Sequence, residues 1–157
     1  MIYIVTGNIN SGKTTRLLSL YEKQLKGDGF ILPKIYIKGK YAGQQITRLS
    51  SGQSVPFSRK QGFIPENWVE KYCLDTYSFC TEGFDYAFEI IQEAIKNNSI
   101  PIYIDEIGPL ELEEKGFYQF LPELFKSDLT IFISVRRLLL KNVLDRFKIK
   151  KFIIIEA

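Results

Sequence analysis

Apolar positions along the chain fall into two kinds of run. Continuous blocks of apolar and β-branched residues occupy positions 2–6, 100–105, 129–134 and 152–155, a pattern that predicts strands covered on both faces. Between the blocks, apolar residues recur at helical spacing. Leu17, Leu18, Tyr21 and Leu25 form one such set, and Phe84, Ala87, Phe88, Ile91, Ala94 and Ile95 a second. Phe117, Phe120, Leu121, Leu124 and Phe125 form a third, and a fourth helix is expected near 138–147. Each predicts a helix with one buried face. Gly27 is placed to stop the first helix, Asn97 and Asn98 the second, while Pro122 would kink or restart the third.

The stretch 29–60 reads differently. Its β-formers are punctuated by Gly39, Gly43 and Gly52, which predicts a second strand followed by hairpins, with Pro33 at an edge or bulge. Strands alternating with helices imply an α/β fold, a mostly parallel sheet with helices on both faces. The hairpins are then an insertion, and 157 residues make a single domain spanning 1–157.

Composition narrows the chemistry. The chain has no histidine and only two cysteines, Cys73 and Cys80. A four-ligand zinc site built from Cys and His, a Ser-His-Asp triad and a histidine base are all excluded within one chain. Acid–base work falls to carboxylates, lysines or tyrosines. The cysteines are expected to be free thiols. The net charge of +3 selects no partner. No basic stretch followed by an apolar one precedes the first strand, and no apolar run approaches the ~18 residues of a membrane span. A soluble, cytoplasmic protein without a membrane partner is expected.

The first strand opens into "GNINSGKTT", which matches G-x-x-x-x-G-K-[ST]. Gly7, Asn8, Ile9, Asn10, Ser11, Gly12, Lys13, Thr14 and Thr15 would wrap a phosphate chain, their backbone N–H groups pointing inward. The helix that follows aims its positive end at the same anion. Lys13 would reach the β- and γ-phosphates, and the Thr14 hydroxyl would bind Mg²⁺.

A second constellation is "IPIYIDEIGPLEL". Asp105 closes an apolar strand, the position from which a carboxylate holds a Mg²⁺ shell against the threonine. Glu106 follows at once and is the best-placed group to polarise a water in line with the γ-phosphate. The plainer alternative for either acid is a cap on a strand-end turn.

"GNINSGKTT" with "IDEIGPLEL" and the middle "GFILP … GQQITRLSSG" resembles the cancer-related nucleoside triphosphatase family, small P-loop enzymes that hydrolyse ATP, GTP and other nucleoside triphosphates. The resemblance covers most of the chain and rests chiefly on "DEIGPLEL", since the loop alone is shared by many NTPases. It implies a RecA-like three-layer P-loop fold with parallel strand order 5-1-4-3-2. It also implies nucleotide and Mg²⁺ binding at the loop with Asp105, a catalytic Glu106 and a role for Glu111, for which a helix-start carboxylate is an equal alternative. That order would put the 129–134 strand between the loop strand and the Asp105 strand.

The arginines Arg136 and Arg137 would then stand near the γ-phosphate. Arg136 falls where the resemblance places an arginine, and a guanidinium there would stabilise transition-state charge; the plainer alternative is a solvated helix start. Without an engaged finger, hydrolysis would be slow. The run "KNVLD" does not fit the N-K-x-D guanine motif, and the family's further C-terminal helix has no counterpart before Ala157, so broad base specificity is expected. A small-molecule or nucleotide kinase is the runner-up activity.

Three other features are left in their plainer reading. "RFKIKKF" alternates as one solvated strand face, so no nucleic-acid partner is expected. Of Tyr72, Tyr77, Phe79, Phe84 and Phe88, those at helical spacing read as core. Trp68, in a proline-bearing loop, fits a surface contact or a lid equally well.

Overall fold

In the computed structural model, which describes residues 1–157, the continuous apolar blocks become neighbouring parallel strands. They are β1 (Ile2–Gly7), β8 (Ile102–Ile107), β9 (Ile131–Arg136) and β10 (Phe152–Glu156), joined by the short β2 (Asp28–Ile31). Their order across the sheet is β10-β1-β9-β8-β2. Numbered among themselves, these strands run 5-1-4-3-2, and β9 lies between the strands that carry the glycine loop and Asp105.

The stretch after β2 extends the same sheet in antiparallel fashion. It comprises β3 (Lys34–Ile37), β4 (Lys40–Arg48), β5 (Ser54–Lys60), β6 (Glu70–Leu74) and β7 (Tyr77–Cys80). Pairing of β2 with β4 joins the two halves into one ten-stranded sheet. Pro33 lies in the turn between β2 and β3, where its carbonyl accepts the Gln45 N–H at 3.1 Å.

Helices cover both faces. On one face, α1 (Lys13–Gln24) packs Leu17 against Val5, Ile31, Tyr103 and Phe132. Phe132 stacks on Tyr3 at 4.6 Å and on Tyr103 at 5.0 Å, and Tyr21 meets Tyr103 edge-on. The other face carries the larger core. There α2 (Thr81–Lys96) buries Phe84, Ala87, Ile91 and Ala94 as its periodicity predicts, and adds Ile90. Phe88 is half-buried, and Ile95, expected on the same face, is exposed near the end of the helix. The same layer contains α3 (Pro109–Leu112), a 3₁₀ turn at Gly116–Gln119, α4 (Leu121–Lys126) and, after a 3₁₀ turn at Arg137–Leu139, α5 (Leu140–Arg146).

Local expectations are refined at three places. Pro122 restarts the chain as the second residue of α4 and does not kink a longer helix, because a missing N–H is tolerated in a first helical turn. The Asp105 strand runs two residues further than its apolar block, to Ile107. Cys73 and Cys80 are both free, Cys80 buried with its thiol donating to the Pro56 carbonyl. No helix is long and apolar enough to cross a membrane.

Candidate active site

The site starts where β1 turns into α1. Gly12, just before the helix, has φ +88°, a left-handed conformation that side chains disfavour, and it leaves the first amides of α1 free to face outward. Ile9 to Thr15 line a cavity of about 880 Å³. Gly7 and Asn8 sit behind it, with the Asn8 carbonyl accepting the Ser11 N–H at 3.1 Å and the Lys13 ammonium at 2.8 Å. Burial pulls the Lys13 pKa down, with the charge of Arg136 adding to that and the negative charges of Glu106 and Asp105 opposing it.

Across from the loop, Asp105 and Glu106 occupy a bulge. Ile104 pairs with Ile133 and Ile107 with Val135, so the two acids together face the single residue Ser134. In an unbroken strand, consecutive side chains point to opposite faces and the acids would be separated by the sheet. The bulge removes that separation. It also holds Glu106 at φ +53°, left-handed backbone for a residue with a side chain. Ser134 locks the arrangement, accepting the Glu106 N–H at 2.7 Å and donating its hydroxyl to Asp105 Oδ1.

Asp105 is fully buried. Its Oδ2 accepts the Thr14 hydroxyl at 2.7 Å and the Leu32 N–H at 2.9 Å, which ties α1 and the end of β2 to β8. Glu106 Oε2 accepts Nε2 of Gln44 at 2.9 Å. Burial drives both carboxyls above their usual range, and the charge of Asp105 adds to the effect at Glu106. For Asp105 the bonds from Ser134, Leu32 and Thr14 pull back; for Glu106 the Gln44 bond, Arg136 and Lys13 do so.

The structure separates the two arginines. Arg136 ends β9 and lines the cavity beside Lys13 and Glu106, whereas Arg137 turns away and pairs with Glu156 on β10. Glu111 is buried in α3, its two oxygens accepting the N–H groups of Gly108 at 2.8 Å and Phe117 at 2.9 Å. It clips together the loop that follows the two acids. Burial pushes its carboxyl up to about 7, against those two bonds.

Gln44 and Ser134 are the site residues that sequence reasoning passed over. Ser134 had a signal: it is the lone polar side chain among Ile131, Phe132, Ile133 and Val135, at a buried position. Gln44 had none, because its contact depends on how the antiparallel half joins β8. Trp68 is half-buried, donating to the Ser78 hydroxyl with the Arg59 guanidinium over its ring.

The chain is 28% identical to the nucleoside-triphosphatase THEP1 of Methanothermobacter thermautotrophicus, over 98% of this chain and 87% of that protein. It is also 28% identical to the protein of that name from Archaeoglobus fulgidus, over 92% of this chain and 85% of the relative. Its fold matches the solution structure of a human cancer-related nucleoside triphosphatase with a TM-score of 0.66 and 21% identity, covering 99% of this chain and 87% of that one. A family model described as NTPase matches residues 2–156, and the chain therefore belongs to the NTPase family.

Proposed function

We propose that this protein hydrolyses nucleoside triphosphates to the diphosphate and phosphate, with Mg²⁺, at the cavity between the glycine loop and the Asp105–Glu106 bulge. One observation carries the reading: the bulge turns two consecutive carboxylates toward the side of the sheet where Lys13 and Thr14 stand. The amides of residues 9–15 and the Lys13 ammonium bind the phosphates. An arriving phosphate adds to the negative charge of Glu106 and Asp105 that already acts on the buried ammonium.

The oxygens of Thr14 and Asp105, 2.7 Å apart, form a hard-oxygen pair suited to Mg²⁺. When bound, that ion neutralises charge on the β- and γ-phosphates. Thr14 and Asp105 would hold it, Asp105 being fixed in turn by Ser134 and the Leu32 amide.

Glu106 orients a water and takes its proton as the water oxygen bonds to Pγ and the bond from Pγ to the bridging oxygen breaks. Its raised pKa suits a base, since a carboxylate at its ordinary value is a poor proton acceptor near neutrality. Arg136 meets the charge that develops on the phosphoryl oxygens. No carboxylate pairs with Arg136, which leaves its guanidinium free to reach the phosphate, and turnover is slow whenever it does not engage. Free thiols at Cys73 and Cys80 accord with a cytoplasmic location.

The test is phosphate release from ATP, GTP, CTP and UTP with no acceptor present, alongside nucleotide binding. Wild type releases phosphate, Lys13→Ala loses binding, and Glu106→Gln keeps binding and loses turnover. Normal hydrolysis by Glu106→Gln would remove Glu106 as the base. ADP formation that requires an acceptor would make the protein a kinase.

A further inference from the structure

The cavity is not spent on phosphates. Past Glu106 it continues against the antiparallel half of the sheet, where Tyr36, Tyr41, Tyr77 and Phe79 line it. Tyr36 and Tyr41 pair across β3 and β4 with ring centroids 5.9 Å apart, and Tyr41 meets Tyr77 at 6.1 Å. Tyr41 and Tyr77 are half-buried while Tyr36 is 61% exposed, so the aromatic set is open at its outer end.

Lys34 joins the two ends of the cavity. Its ammonium donates to Asn10 Oδ1 of the glycine loop and stands 5.9 Å from the centre of the Tyr41 ring. Burial, Tyr77 and the charge of Glu106 push the pKa of the Tyr41 hydroxyl up to about 12, and Arg136 opposes them.

A triphosphate on the loop lies with its β- and γ-phosphates at Lys13 and its terminal phosphate at Glu106. Its nucleoside then leaves from the opposite end of the phosphate chain. The tyrosines stand on the Glu106 side, so their occupant is a different molecule. The rings meet one another edge to face, and the sides that line the cavity can take a heterocyclic base by stacking or edge contact, while one ammonium beside them suits one phosphate group. We infer that Tyr36, Tyr41 and Tyr77 form a second ligand site, which takes the base of a nucleoside monophosphate whose phosphate meets Lys34. The inference rests on the triphosphate binding as proposed above.

The experiment is calorimetric titration of AMP, GMP, CMP and UMP into protein saturated with Mg²⁺ and a non-hydrolysable ATP analogue. At least one monophosphate binds the saturated protein, once per chain. Tyr36→Ala, at an exposed position that leaves folding intact, weakens that binding about tenfold or more. Tyr41→Leu does the same and Tyr41→Phe, which keeps the ring, does not, while all three bind the analogue within about twofold of wild type. The inference is overturned if no monophosphate binds beside the analogue, if it displaces the analogue, or if Tyr36→Ala and Tyr41→Leu weaken the analogue as much as the monophosphate. Normal analogue binding without a second site overturns this inference alone. Analogue binding that survives Lys13→Ala overturns the reading of the loop, and this inference with it.

Discussion

Gln44 donates from Nε2 to Glu106 Oε2 at 2.9 Å, so β4 in the antiparallel half steadies a carboxylate on β8 in the parallel half. The same nitrogen donates to the Leu32 carbonyl at 3.1 Å, which fixes the amide from two sides. A bond to a charged acceptor is worth about 1.5–3 kcal/mol, or one to two pKa units. In Gln44→Leu the Glu106 pKa therefore rises further, and the proposed base ionises only at higher pH. The acidic limb of the pH–kcat profile should move up by about one unit, so that kcat measured on that limb falls about tenfold. Nucleotide affinity should hardly change. An unmoved limb would show that Gln44 does not set the state of Glu106.

Ser134 is fully buried and serves the bulge twice, accepting the Glu106 N–H and donating to Asp105. Ser134→Ala leaves a buried N–H without a partner and takes one bond from the Asp105 carboxylate. Urea unfolding should show a loss of about 1–3 kcal/mol. Hydrolysis should also need more Mg²⁺, because Asp105 becomes harder to ionise. Ser134→Thr keeps the hydroxyl and should recover part of both. Full stability in the alanine variant would mean that the bulge holds without its serine.

These two residues mark the boundary of what the sequence makes legible. Continuous apolar blocks at 2–6 and 129–134 show buried parallel strands because burial on both faces leaves no other composition open to them. The glycine loop is legible because its path admits few residues at Gly7, Gly12 and Lys13. Asp105 and Glu106 are legible as a pair of acids, but not as a pair on one side of the sheet. That depends on the offset between Ile104–Ile133 and Ile107–Val135, which belongs to two strands and is written in neither alone. The helix Pro109–Leu112 spans barely one helical turn and shows no period, and the helix expected from Phe117 onward opens as a 3₁₀ turn at Gly116–Gln119.

Glu106, the proposed base, carries a backbone cost at φ +53°. For a residue with a Cβ, the left-handed region costs roughly 1–2 kcal/mol, and glycine escapes this while giving back about 0.5–1 kcal/mol in chain entropy. Glu106→Gly and Glu106→Ala should both abolish turnover. Thermal or urea unfolding should nevertheless find the glycine variant more stable than the alanine variant by about 0.5–1 kcal/mol. Equal stability of the two variants would mean that the backbone is unstrained there.

Glu111 predicts a pH dependence whose direction is unusual for a carboxylate. Burial holds its native pKa up at about 7, against the bonds from Phe117 and Gly108, where the ordinary value is 4.5. Between those values the native protein keeps a proton that the unfolded chain has released. Stability from this group is therefore full below about pH 4.5, falls as pH rises, and levels off above about 7. The shift corresponds to a loss of about 3 kcal/mol at most, and Asp105 and Glu106 act in the same direction. Glu111→Gln does not titrate, so its urea-unfolding stability should decline less between pH 5 and 8 than that of wild type. Gly116→Ala probes the same clip from outside: Gly116 has φ +64°, and a Cβ there would collide with Glu111 Oε2, which holds the Phe117 N–H. This variant should be less stable at every pH, and its dependence on pH should be shallower because the displaced carboxyl reaches water. A Gly116→Ala variant with the wild-type pH slope would show that Glu111 does not titrate from the buried position that clips the loop.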